Sequence, residues 1–171
     1  QTSSCIQEEM IRRVQHGIYG YTETGDDYFQ AVSGWMERRH GWEVQEKWLV
    51  KTPGVVFALA ACIRTCTKEK EAVLIQQPVY YPFSEVIRDN GRRMISSDLI
   101  QDTDGKYHMN FEDFEQKIVT EQVKLFILCS PHNPVSRVWS KDELNKLGEI
   151  CLKHDVIVVA DEIHCDFVFQ G

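Results

Sequence analysis

Three short stretches of this chain each carry an almost unbroken apolar run: AVLIQQP (72–78), VKLFILCSP (123–131) and DVIVVADE (155–162). They do not alternate apolar and polar residues, as a strand with one wet face does. A strand of this kind is buried on both faces, as in a parallel sheet covered by helices. The segments between them repeat their apolar residues at helical spacing. Strand and helix in alternation define a layered α/β fold with right-handed crossovers.

The remaining elements follow from local signals. Ser3 or Ser4 starts a first helix with Ile6, Met10, Ile11 and Val14 on one face, and Gly17 stops it. A loop, IYGYTETGDD (18–27), leads to a second helix carrying Tyr28, Phe29, Val32, Trp35 and Met36, closed by Gly41. LVKT (49–52) reads as a strand that turns at Pro53–Gly54 into the helix VVFALAACIRTC. PFSEVIRDNG is a helix closed by Gly91, RRMISSDLI (92–100) a strand, and 110–119 a helix. Ser140 and Glu143 form a capping box ahead of ELNKLGEICLKH. The expected division is an N-terminal helix and loop over residues 1–26 and the layered domain over 27–171.

Composition narrows the function. The 171 residues are 43% hydrophobic, enough for a folded core, and carry a formal net charge of −7. Proteins that grip a phosphate backbone present basic faces, so nucleic acid is not the expected partner. No apolar run approaches the roughly 20 residues of a membrane-spanning helix. The six cysteines form no CxxC pair, and Cys62 and Cys66 lack the further ligands of a metal site. They are expected to be buried thiols in a reducing, cytoplasmic setting. No metal site is expected. The chain opens on Gln1 and closes on Gly171 just past a buried strand, as a piece of a larger protein would.

Four places at strand ends or turns carry chemistry. At TPGVVFAL (52–59) a turn feeds a helix N-terminus, whose free N–H groups suit a phosphate, although there is no GK[ST] and no GxGxxG; taken alone it is also an ordinary turn. At QQPVYYPF (76–83) two tyrosines sit between prolines, and one can lie flat on an aromatic ligand or wedge into loop packing. At CSPHNPVSRVW (129–139) the Asn–Pro step favours an extended residue before the proline and holds the Asn133 amide still, or simply makes a turn. At VIVVADEIHCD (156–166) Asp161 and Glu162 point to opposite sides, so only one faces a given ligand. A buried Asp161 needs a cationic or hydrogen-bonding partner, and a protonated heterocyclic nitrogen is one. A phosphate cradle, an aromatic plate, an amide and a carboxylate together describe a pocket for a phosphorylated pyridine.

Along nearly its whole length the chain resembles fold-type I pyridoxal-phosphate enzymes of the class I/II aminotransferase superfamily. More narrowly it resembles the cystathionine β-lyase-like C–S lyases, through YGYTETG (19–25), KTPGVVFAL (51–59), QPVYYPF (77–83), SPHNPVSRVW (130–139) and DEIHCDFVF (161–169). The resemblance implies a three-layer αβα sandwich with a mostly parallel sheet, the incomplete large domain of such an enzyme. It implies pyridoxal 5′-phosphate as cofactor. Asp161 would pair with the pyridine nitrogen, Asn133 and His164 would approach the phenolic oxygen, and Tyr80 would stack on the ring. Backbone N–H groups of Gly54, Val55 and Val56 would hold the phosphate. Tyr21, with Tyr19 as the fallback, would reach the phosphate of a neighbouring subunit in a homodimer.

The implied reaction is β-elimination from an amino acid with a sulfur leaving group, cystathionine or a cysteine conjugate, giving a thiol, pyruvate and ammonia. An aminotransferase is the alternative enzyme; a non-catalytic ligand-binding remnant or regulatory module is the alternative of another class. Two departures stand out. Ser136 replaces the usual glycine after Asn-Pro-Val, which a serine accommodates where the backbone avoids positive φ. None of the lysines lies in the serine-rich setting of the family's Schiff-base lysine, so residues 1–171 alone are expected to be a fragment without turnover.

Overall fold

In the computed structural model, residues 2–21 and 23–169 are described; Thr22 of the YGYTETG motif lies outside them. The chain divides into two compact units, 1–50 and 51–171. The first holds helices α1 (Ser4–His16) and α2 (Asp26–His40) and a single 3-10 turn, Glu46–Trp48. Gly17 and Gly41 end the two helices in the left-handed conformation, with φ of 71° and 63°. Glycine reaches that region without a Cβ penalty. Ser3 precedes α1, but its hydroxyl makes no cap and lies 3.1 Å from the Cys5 sulfur.

The second unit contains α3 (Val55–Cys66), β1 (Ala72–Ile75), α4 (Pro82–Asp89), β2 (Arg93–Ser96), β3 (Ile100–Gln101), β4 (Tyr107–His108), α5 (Phe111–Glu121), β5 (Val123–Cys129), α6 (Lys141–Lys153) and β6 (Ile157–Asp161). Four strands form a parallel sheet in the order β2-β1-β5-β6. Successive residues of β1 show why its sequence does not alternate. Ala72 and Leu74 enter one core with Phe114 and Ile118 of α5 and Leu147 and Ile150 of α6. Val73 and Ile75 enter the other, with Leu59 and Ile63 of α3 and Phe83 and Ile87 of α4. Both faces are covered, as the unbroken apolar runs require.

Three expectations need correction. Residues 49–52 form no strand, and no ladder reaches them among the described residues. An extended segment becomes a strand only when a neighbour pairs with its N–H and C=O groups. The strand expected over 92–100 ends at Ser96, and Ile100 instead pairs antiparallel with His108 in a separate two-stranded ribbon. The turn between the ribbon's strands is tied by the Asp102 carboxylate, which accepts from the N–H groups of Asp104 and Lys106 at 3.0 and 2.8 Å. The cysteines are all free thiols, but only Cys129 and Cys151 are buried; Cys5 is exposed and the others half-buried.

The capping box ahead of α6 is complete. The Ser140 hydroxyl accepts from the Glu143 N–H at 3.2 Å, and the Glu143 carboxylate accepts from the Ser140 N–H at 2.7 Å. Arg137 donates to the same carboxylate at 2.6 Å. Burial works to raise the Glu143 carboxyl, but the two Ser140 bonds and Arg137 prevail and hold it below the usual carboxylate range.

Candidate active site

The carboxyl ends of β1, β5 and β6 lie side by side, and helix α3 packs against β6. In open α/β sheets ligands bind at this edge. A cavity of about 360 Å³ opens there. Its wall brings together six of the residues singled out from sequence: Val55, Val56, Tyr80, Asn133, Asp161 and His164. Cys129 and Ile163 complete it. Gly54 immediately precedes α3, while Tyr21 belongs to the other compact unit.

Each wall residue is placed by a local cause. Asp161 ends β6 opposite Cys129 of β5, and its carbonyl accepts from the Ser130 N–H at 3.0 Å. The strand's alternation then buries Asp161 at 8% exposure and turns Glu162 to solvent. The Asp161 carboxylate accepts one hydrogen bond, from the Ile163 N–H at 3.1 Å, and no cation pairs with it among the described residues. Tyr80 stands in the β1–α4 turn with its ring edge-on to Phe83, centroids 6.2 Å apart, and remains partly exposed.

Asn133 is tethered through its backbone N–H to the Cys129 sulfur at 3.4 Å. Its side-chain amide has no partner among the described residues, so it is available to a ligand oxygen. The α3 N-terminus has no side-chain cap. Its first N–H groups have no intrahelical partner, and the helix dipole favours an anion in front of them. A Cβ on Gly54 would meet nothing within 4 Å.

Cys129 and Ile163 escaped the sequence reading as wall residues. Cys129 looked like the last apolar position of a strand; only the register that sets it against Asp161 makes it part of the cavity. Burial pushes its thiol up, against the pull of the Asn133 N–H and with the help of the Asp161 charge, so it is a neutral wall. A larger hollow of about 500 Å³ lies beyond Asn133 and His164. It includes neither Asp161, Tyr80 nor the helix N-terminus, so the convergent polar groups belong to the smaller one.

The condition under which a serine replaces the glycine without cost is not met at Ser136: its φ is +56°, the left-handed region in which a serine is strained. In the first unit, the Tyr19 hydroxyl donates to the Val14 carbonyl at 2.6 Å, whereas the exposed Tyr21 hydroxyl has no partner among the described residues. Of the two tyrosine hydroxyls, that of Tyr19 is engaged within its own unit.

A doubly covered parallel sheet with an uncapped helix N-terminus, an exposed tyrosine ring and a buried carboxylate at one edge is an arrangement found among cofactor-binding α/β proteins. The chain belongs to the aminotransferase class I and II family, whose model matches residues 3–171. It is 45% identical over 167 residues to the cystathionine beta-lyase PatB of Bacillus subtilis strain 168, covering 98% of this chain and 43% of that protein. Among solved structures it is similar to cystalysin from Treponema denticola, which contains pyridoxal 5′-phosphate, with a TM-score of 0.95 and 37% identity over 100% of this chain and 43% of that one. It is also similar to the PLP-bound C–S lyase from Staphylococcus hominis, with a TM-score of 0.92 and 35% identity over 96% and 42% of the two chains. The chain thus spans less than half the length of these relatives.

Proposed function

We propose that this chain is the cofactor-holding part of a pyridoxal 5′-phosphate-dependent carbon–sulfur lyase. The observation that carries the reading is the Asp161 carboxylate, buried in the wall of the 360 Å³ cavity with, among the described residues, one N–H donor and no cation beside it. A buried carboxylate without a cationic partner is costly. A protonated pyridine nitrogen has the matching charge and hydrogen. The other wall groups fit the rest of the cofactor. The amides of Gly54, Val55 and Val56 suit its phosphate, the Tyr80 ring its flat face, and the Asn133 amide and His164 imidazole its phenolic oxygen.

When bound, the cofactor supplies an electron sink for the charge that develops at the substrate Cα. Asp161 keeps the proton on the ring nitrogen, Tyr80 fixes the plane, Asn133 and His164 orient the phenolic oxygen, and the α3 N-terminus anchors the phosphate. The substrate is an amino acid with sulfur at Cβ, such as cystathionine or a cysteine conjugate, and the products are a thiol, pyruvate and ammonia. This choice is supported by the names of the relatives. Tyr21 would reach a phosphate across a homodimer. The free thiols suit a reducing compartment, the cytoplasm. The family name favours a second reading, amino-group transfer in the same cradle.

The test is titration of residues 1–171 with pyridoxal 5′-phosphate, followed by absorbance and tyrosine fluorescence, and repeated with Asp161→Ala. The expected result is saturable binding that Asp161→Ala weakens at least tenfold. Borohydride reduction should leave no single stoichiometric lysine adduct. Equal binding by the two proteins overturns the assignment of Asp161. In the whole protein, thiol release from cystathionine separates the lyase from an aminotransferase, which would form a keto acid instead.

A further inference from the structure

The turn that carries Tyr80 and the turn that carries Asn133 follow different strands, yet a ring slot needs them at a fixed separation. One buried side chain joins them. His132 is 2% exposed, and its Nε2 lies 3.0 Å from the Pro78 carbonyl, two residues before Tyr80. A carbonyl oxygen can only accept, so Nε2 carries the hydrogen and donates it. The imidazole stands edge-on to Trp139, centroids 5.4 Å apart, and the Trp139 indole N–H donates to the Cys129 carbonyl at 3.0 Å. The His132 backbone is held too: its N–H donates to the Arg137 carbonyl at 2.7 Å and its carbonyl accepts from the Ser136 N–H at 2.8 Å.

The ring is neutral. Burial lowers its proton affinity, against the pull of the Pro78, Cys129 and Gln76 carbonyls. Its Nδ1 is buried without a hydrogen-bond donor among the described residues. A buried, unpaired lone pair costs stability. An apolar residue would fill this space beside Trp139 without that cost, so the benefit of a histidine lies in the bond to Pro78.

We propose that His132 is a positioning residue that sets the spacing between Tyr80 and Asn133, and thereby the slot for the cofactor ring. It touches neither ring nor phosphate in this role; it acts through the two turns. The inference rests on the proposed cofactor, but part of its test does not.

Three proteins decide it: the wild type, His132→Leu, which removes the donor, and His132→Gln, whose amide retains an N–H at similar reach. In the absence of any ligand, amide hydrogen exchange at Val79, Tyr80, Tyr81 and Asn133 should quicken about five- to tenfold in His132→Leu, the range expected for one lost buried hydrogen bond. Exchange in the core strands should stay unchanged, and His132→Gln should restore slow exchange at the turns. Affinity for pyridoxal 5′-phosphate should fall by a similar factor in His132→Leu and recover in His132→Gln. Inorganic phosphate, followed through the Val55 and Val56 amides, should bind all three alike, because the α3 N-terminus lies outside the link.

A general loss of packing would weaken phosphate and cofactor together and speed exchange everywhere, and that pattern overturns the proposal. So does unchanged exchange at the turns in His132→Leu. If the wild type takes up no pyridoxal 5′-phosphate, the cofactor reading fails while the exchange result still decides whether His132 sets the spacing.

Discussion

Cys129 and Asp161 stand opposite each other at the ends of neighbouring parallel strands, and the Asp161 carbonyl receives the N–H of Ser130, the residue after Cys129. This one register places the buried carboxylate beside the turn that carries Asn133. The same pairing that adds β6 to the sheet therefore also assembles the polar edge of the cavity.

Asp161 should trade stability for binding. In the cofactor-free chain, Asp161→Asn removes a buried charge that has no cationic partner among the described residues and should stabilise the fold by about 1–3 kcal/mol, read from urea unfolding. In the whole protein, Asp161→Ala should cut kcat by about 10²–10³, comparable to losing a preorganised donor at a developing charge. Near-normal kcat would mean that another group serves the ring nitrogen.

His132 should make stability depend on pH in one direction. Its folded proton affinity lies below that of an ordinary histidine, which titrates near pH 6.5 when unfolded. Between the folded value and about pH 6.5 the unfolded chain binds a proton that the folded chain refuses, so stability falls as pH falls through this window. Above it the contribution is fully present. Subtracting the pH profile of His132→Gln from that of the wild type should isolate the slope; two parallel profiles would refute it.

Ser136→Gly should stabilise the chain by about 1 kcal/mol, because glycine adopts φ near +56° without the Cβ clash that serine meets. The change in urea midpoint at constant m reads this directly. A destabilised Ser136→Gly would show that the serine hydroxyl contributes more than the backbone strain costs.

The thiols should separate by reactivity. Cys5 is exposed, whereas burial pushes the Cys151 thiol up to about 12 and also raises Cys129. With iodoacetamide at neutral pH, mass spectrometry should find Cys5 labelled first, and Cys129 and Cys151 only after denaturant is added. Early labelling of Cys151 in the native chain would contradict its place in the core.

Strand β6 should make residues 1–171 associate. Among the described residues it pairs with β5 alone, and Ile157 and Val158 are 45% and 39% exposed. An apolar edge of this kind templates further pairing, and a lysine there blocks it. Sedimentation velocity should show concentration-dependent association that Ile157→Lys reduces, and amides of residues 49–52 should exchange rapidly. A stable monomer with those amides protected would overturn this account.

Much of the fold was legible in local sequence. The stretches 72–78, 123–131 and 155–162 became three strands of one parallel sheet, each shorter than expected, and glycines at 17, 41 and 91 closed helices where they were expected to. Ser140 and Glu143 formed their capping box as their spacing implied. Six residues chosen at strand ends and turns line one cavity. These features depend on side-chain periodicity and on backbone preferences within a few residues, which a sequence states directly.

What tertiary structure decided depends on partners distant along the chain. Whether residues 49–52 become a strand depends on a ladder neighbour, and none pairs there among the described residues. Ile100 left the expected strand because His108 pairs with it across a turn. Cys129 became a cavity wall through its register with Asp161, and His132 a link between two turns through Pro78, 54 positions away. Such pairings are set by packing across the whole domain, so local sequence determined the strands, caps and ends that carry the chemistry, and only the folded chain determined which of those ends meet.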